Sequence, residues 1–208
     1  MPAPVIDCYY YGASPFSFLG HQALQDVARR HGATIAWKPV DLMSIWGQSG
    51  AVPPAQRPPV RQRYRIIELQ RIAHMRGLSL NLRPAHFPAD LTLADCCTIA
   101  LVEAGRDPAS YMDAVYRGVW QDDADLADEA EVARRLEAEG HDAAATVEAA
   151  RGDAVAAIRA ANTREAMERD AVGVPAYVLA GEVFWGQDRI DMIDHALATG
   201  RAPFRADA

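Results

Sequence analysis

Apolar positions recur along the chain with two periods, and the period changes at punctuated places. Residues 5–11 form a β-branched and aromatic run that suits a buried strand. Gly12-Ala13 breaks it. Ser14 then stands where a helix N-cap should stand, and Pro15 at the first helical position, where a missing N–H costs nothing. Leu19, Ala23 and Val27 repeat at helical spacing, which predicts a helix from Pro15 to about His31. A strand over 33–40 follows, with Pro39 near its end. Strand, helix and strand in this order favour parallel pairing.

Residues 41–59 read as a loop, because Gly47, Gly50, Pro53, Pro54, Pro58 and Pro59 interrupt them. A helix is predicted over 60–76, then an extended, proline-bounded segment over 78–88. Helices follow over 91–103, 108–120, 129–139 (opened by Asp128 or a neighbour), 143–151 and 153–170. No strand pattern occurs between 60 and 170. The end returns to strands. Residues 172–179 carry Pro175 near their start, Ala180-Gly181-Glu182 is a tight turn, and 183–185 complete a hairpin. Asp188 reads as the N-cap of a last helix with Ile190, Ile193 and Leu197 on its apolar face, and Asp191 in the capping-box position. The expected organisation is α/β: a discontinuous domain over 1–59 and 171–208, holding an inserted all-helical domain over 60–170.

Composition narrows the function classes. The chain has 208 residues, 50% hydrophobic and 24% charged, as expected for a globular protein. A net charge of −7 argues against general nucleic-acid binding. No apolar run reaches the length of a membrane span, and the first seven residues show no signal-peptide pattern. Cys8, Cys96 and Cys97 include no Cys-x-x-Cys pair, so a cytoplasmic, reduced, disulfide-free protein is expected. No metal site is expected. The six histidines are scattered, and the acidic run over 122–131 has no histidine partner, which suits a solvated helix entrance.

The first helix start carries the candidate chemistry. A helix N-terminus presents partial positive charge and unpaired N–H donors, so it stabilises an anion. The Ser14 hydroxyl could donate to a thiolate supplied by a ligand; from the local sequence alone, a capping role is the commoner reading. Six arginines lie between Arg57 and Arg76 without sharing a face, so most belong to solvated surface. Arg57, closest to the loop, is the candidate for an anionic substrate group.

Strand–helix–strand, helical insert, then hairpin and helix is the order of a thioredoxin-like fold with an inserted all-helical domain. Ser14-Pro15-Phe16-Ser17 occupies the position of that fold's Cys-Pro-x-Cys motif, and Val174-Pro175 that of its cis-proline. More closely, the chain resembles the 2-hydroxychromene-2-carboxylate isomerases and the kappa-class glutathione transferases, within the DsbA-like relatives. Ser14-Pro15-Phe16-Ser17-Phe18-Leu19 and Gly173-Val174-Pro175 with Phe184-Trp185-Gly186-Gln187-Asp188-Arg189 carry the resemblance, which extends over nearly the whole chain.

The resemblance implies glutathione as cofactor. Ser14 inherits the bond to its sulfur and Val174 the strand-like pairing with its cysteinyl backbone. Trp185, Gly186, Gln187 and Asp188 inherit the γ-glutamyl end. Ser17 is a packing or supporting residue. The implied reaction is glutathione-dependent cis–trans isomerisation of an unsaturated keto acid from aromatic degradation, by thiolate addition and elimination. The resemblance also implies a homodimer. The substrate half departs from the family. Tyr11 stands for a frequent Asp, Trp46 for a pocket lysine, Ala51 for a loop asparagine, Gln56-Arg57 for Asn-Arg, and Phe87 for a tyrosine. Trp46, Gln56, Arg57 and Phe87 are the expected substrate contacts. A kappa-like transferase acting on another electrophile and a non-catalytic thioredoxin-like binding protein remain open at this point.

Overall fold

The computed structural model describes residues 2–206. Strand β1 (Val5–Tyr10) leads through the Tyr11–Ser14 turn into helix α1 (Pro15–His31), and β2 (Thr34–Pro39) returns. Ser14 caps α1 in an extended conformation, and Gly32 ends it in the left-handed region at φ 61°. As predicted, β1 and β2 pair in parallel, Cys8 opposite Trp37. Strands β3 (Ala176–Leu179) and β4 (Glu182–Trp185) form the predicted hairpin, and β3 adds antiparallel to β1. The sheet order is β2-β1-β3-β4.

Between β2 and β3 the chain is helical: α2 (Leu42–Ser49), α3 (Pro59–Met75), α4 (Thr92–Glu103), α5 (Ala109–Trp120), α6 (Glu129–Ala138), α7 (Ala143–Ala150) and α8 (Asp153–Glu168). Helix α9 (Ile190–Thr199) follows the hairpin. Three expectations need correction. Residues 41–59 are not all loop. Asp41 caps α2 by accepting the Met43 N–H, and Gly50 stops it at φ 72°, so the breakers act only on the second half. The strand expected over 172–179 is ordered as a strand only from Ala176. Asp188 does not cap the last helix. It lies inside a 3-10 turn, Gln187–Arg189, that precedes α9.

Alternate residues of β1 feed two apolar layers. Cys8 and Tyr10 join Trp37, Tyr177 and Phe184 in the larger one, with Leu19 and Leu24 of α1 and Tyr116 and Trp120 of α5. Tyr9 faces the other way, with Val40, Ile45 of α2 and Ala166 of α8. There Lys38, the only lysine, bridges Asp7 at 2.9 Å and Glu165 at 2.6 Å, tying β1, β2 and α8 together.

Helix α1 meets the sheet through a glycine. A Cβ at Gly20 would lie 2.7 Å from the Tyr177 hydroxyl oxygen and 2.9 Å from Gln187 Cβ. Alanine would gain about 1 kcal/mol of helix propensity but overpack the contact by about 1–3 kcal/mol. Gly20→Ala is therefore expected to lower the urea midpoint, the reverse of its effect in an exposed helix.

Candidate active site

The site forms where α1 begins. The Ser14 N–H donates to Tyr11 O at 2.9 Å, which closes the turn, and Ser14 Oγ accepts the Ser17 N–H at 3.2 Å. With its oxygen so used, the hydroxyl proton has no acceptor among the described residues. Pro15 has no N–H, and the Phe16 N–H donates to nothing among them. A hydroxyl proton and a backbone amide thus stand free at the positive end of a 17-residue helix. The Ser17 hydroxyl is buried and unpartnered.

The Val174–Pro175 peptide is cis, and neither backbone polar group of Val174 is engaged among the described residues. Its neighbour Gly173 lies under the indole of Trp185, where a Cβ would approach Nε1 to 3.0 Å; Trp185 itself is 54% exposed. Gly186 turns the chain at φ 98°, its N–H on Pro175 O at 2.8 Å. Beyond it the N–H groups of Gln187 and Asp188 have no acceptor among the described residues. The exposed Asp188 carboxylate meets Arg189 at 2.6 Å. The Gln187 side chain is buried, its Oε1 accepting from Arg76 Nη2 at 2.5 Å. Gln187 therefore offers its backbone N–H, while its side chain and its carbonyl, which accepts from Arg76 Nη2 at 3.2 Å, tie the end of α3 to the turn. The Ser14 hydroxyl, the backbone of Val174 and the N–H groups of 187–188 are uncommitted groups of the kind that an extended thiol peptide with a carboxylate uses.

On the other flank, Arg57 lies over the Trp46 ring at 5.7 Å and is held by Val52 O at 2.9 Å. Arg65 lies over the Phe16 ring in the first turn of α1 at 5.9 Å. Burial, then the charge of Arg57, lowers the Arg65 pKa, so the two guanidinium groups lie close enough to feel each other's charge. The structure thus brings Trp46 and Arg57 together and links them through Arg65 to the start of α1. Gln56 is exposed, in a 3-10 turn (Pro54–Gln56) just ahead of Arg57. Phe87 instead packs its ring against Trp120, centroids 5.0 Å apart.

Sequence reasoning missed three residues here. Arg65 and Arg76 were indistinguishable from the other arginines of α3. Asp95 is only 2% exposed, and both its oxygens accept the Gly12 N–H, at 3.1 and 3.2 Å. Burial pushes its carboxyl up to about 7, against the opposing Gly12 hydrogen bond. Its signal was a lone acid inside the apolar stretch Ala94 to Leu101.

A four-stranded sheet with this order, a helix opened by Ser14-Pro15 directly after the first strand and a cis-proline just ahead of β3 define a thioredoxin-like protein with serines in its motif. Residues 5–198 match the DSBA-like thioredoxin domain, and the chain belongs to that family. A 2-hydroxychromene-2-carboxylate isomerase of Sphingobium xenophagum is 32% identical over 195 residues, covering 92% of this chain and 97% of the relative. One from Pseudomonas putida is 30% identical, covering 93% and 94%. A solved 2-hydroxychromene-2-carboxylate isomerase superposes with a TM-score of 0.80 at 28% identity, covering 94% of this chain and 95% of that one. Within the DsbA-like family, the chain therefore belongs with the 2-hydroxychromene-2-carboxylate isomerases, a group of isomerase enzymes.

Proposed function

We propose that this protein is a glutathione-dependent cis–trans isomerase of 2-hydroxychromene-2-carboxylate or a related aromatic-degradation intermediate. The observation that carries the reading is the uncommitted Ser14 hydroxyl at the start of α1; the backbone groups of Val174, which no described residue engages, support it. Bound there, glutathione would supply a thiolate that adds to a conjugated carbon and is expelled after rotation about the former double bond.

The chain's own residues do the rest. Ser14 Oγ–H and the Phe16 N–H donate to the sulfur and hold it anionic, aided by the helix dipole. Val174 fixes the peptide backbone, and the free N–H groups at 187 and 188 with the Asp188 carboxylate take its charged end. Trp185 and Gly186 shape that end. Arg57 and Arg65 supply positive charge for the substrate carboxylate beside the apolar faces of Trp46 and Phe16. The reading keeps Gln56 and Phe87 as outer substrate contacts. It carries a cytoplasmic setting, supported by three free, buried cysteines. It also carries a homodimer, supported by the exposed Val60, Tyr64 and Ile67 along α3.

Calorimetric titration with glutathione, followed by a turnover assay on 2-hydroxychromene-2-carboxylate, tests the reading. Binding with a thiolate absorbance and isomerisation that requires glutathione are expected. Saturable binding with formation of a stable conjugate would replace the isomerase by a transferase. No binding at millimolar glutathione would overturn both and leave a non-catalytic binding protein.

A further inference from the structure

The buried acid under the Ser14 turn is not used by the reaction above. Asp95 stands on α4, 83 residues from Gly12 in the chain, yet both carboxyl oxygens converge on the Gly12 N–H. Gly12 is buried two residues before Ser14, and a Cβ there would lie 2.6 Å from Asp95 Oδ1. The carboxyl group and the turn are therefore in direct contact, and only glycine lets them approach.

The surroundings of the acid are sparse in compensation. Gly12 is the only residue that donates to it among the described hydrogen bonds. Tyr10 of β1, Thr98 of its own helix, and Met112, Val115 and Tyr116 of α5 line a small cavity beside it. Tyr111 of α5 spends its hydroxyl on Ala94 O. Cys96 is its neighbour on α4. Two charges reach it. Arg159 of α8 favours the ionised carboxylate, and Asp90, ahead of α4, disfavours it. Arg159 holds Val40 O at 3.3 Å rather than the carboxylate, so Asp95 has no ion-pair partner among the described residues.

We infer that Asp95 is a positioning residue: its carboxyl group fixes the Gly12 amide and thereby sets both the placement of the Ser14 turn and the charge behind it. The part concerning bound sulfur rests on the proposed glutathione site. The part concerning the turn stands without it. An ionised Asp95 grips Gly12 more tightly but puts a negative charge behind a site that must hold a thiolate. The two anions oppose each other, so by linkage each raises the other's pKa. The device balances order in the turn against acidity of the thiol. Burial pushes the carboxyl up to about 7, which puts that balance near neutral pH.

Two variants separate the roles. Asp95→Asn keeps an oxygen for the Gly12 N–H and removes the charge. Asp95→Ala removes both. In the ligand-free protein, the Gly12 and Ser14 amide resonances followed by nitrogen–proton NMR are expected to titrate near pH 7 in the wild type and to be flat in Asp95→Asn. With glutathione bound, the ultraviolet thiolate absorbance is expected to appear at least half a pH unit lower in Asp95→Asn, with affinity within about twofold of wild type. Asp95→Ala is expected to weaken binding about tenfold. If that variant does not fold, the Asn variant decides. A Gly12 amide that does not titrate, or titrates equally in Asp95→Asn, overturns the inference. So does an unshifted thiol titration in Asp95→Asn. Absence of glutathione binding in every form, with the Gly12 titration intact, overturns the glutathione site while the control of the turn by Asp95 stands.

Discussion

Ser14→Ala is expected to lower turnover by roughly 10²-fold and to abolish the thiolate absorbance of bound glutathione, as expected when one donor to a developing or held anion is removed. The side chain makes two different contributions. As an acceptor it caps α1 through the Ser17 N–H at 3.2 Å, worth about 1 kcal/mol to the fold. As a donor its proton is free for sulfur, and a hydrogen bond to a charged partner is worth about 1.5–3 kcal/mol. Alanine removes both contributions, so activity alone does not separate them. Ser14→Thr keeps the hydroxyl and the cap, and is expected to retain a thiolate signal that alanine loses. Ser14→Asp keeps the cap but places an anion against the sulfur, and is expected to be as inactive as alanine while melting close to wild type. The combined set of pH-dependent absorbance and thermal melts checks this. Equal thiolate absorbance in wild type and Ser14→Ala would leave the serine with a capping role only.

The second large effect is on stability. Asp95 is expected to make the protein less stable as pH rises from about 4 to 7. Burial raises its folded-state value from the ordinary 3.8 to about 7. The unfolded chain therefore releases this proton at lower pH than the folded one. Below about 4 both states hold the proton and the group is neutral in its effect. Across the window the unfolded state gains, and above 7 the full penalty is present. At about 1.4 kcal/mol per unit, a shift of this size costs on the order of 4 kcal/mol, a large share of a typical folding free energy of about 5–15 kcal/mol. Asp95→Asn keeps an acceptor for Gly12 and has no such penalty. Urea denaturation of both proteins at pH 5 and pH 8 should show the variant overtaking the wild type at the higher pH. Parallel stabilities at the two values would mean that Asp95 ionises without cost.

The same carboxyl shows why part of the site was readable and part was not. Ser14-Pro15 after a strand is a local signal, because capping and the fixed φ of proline act within one turn of chain. The hairpin and the helix spacings are local in the same way, and each element they predicted is present within a few residues. The misreadings arose where local signals competed. The prolines and glycines of 47–59 outweighed the Asp41 cap and hid α2. Asp188 has the chemistry of a cap, but the backbone enters α9 through a 3-10 turn, so its carboxylate faces Arg189.

By itself, the sequence determined the order of strands and helices, the helix start at Ser14 and the Val174-Pro175 turn, since each depends on neighbours a few residues away. Only the tertiary structure decided which side chains share the site. It chose Arg65 over Phe16 from among six similar arginines, spent the Gln187 amide on Arg76, and set Asp95 beneath Gly12. Those contacts join residues tens of positions apart, and packing of α3 on α1 and of α4 on β2, rather than any periodicity in the chain, brings them together.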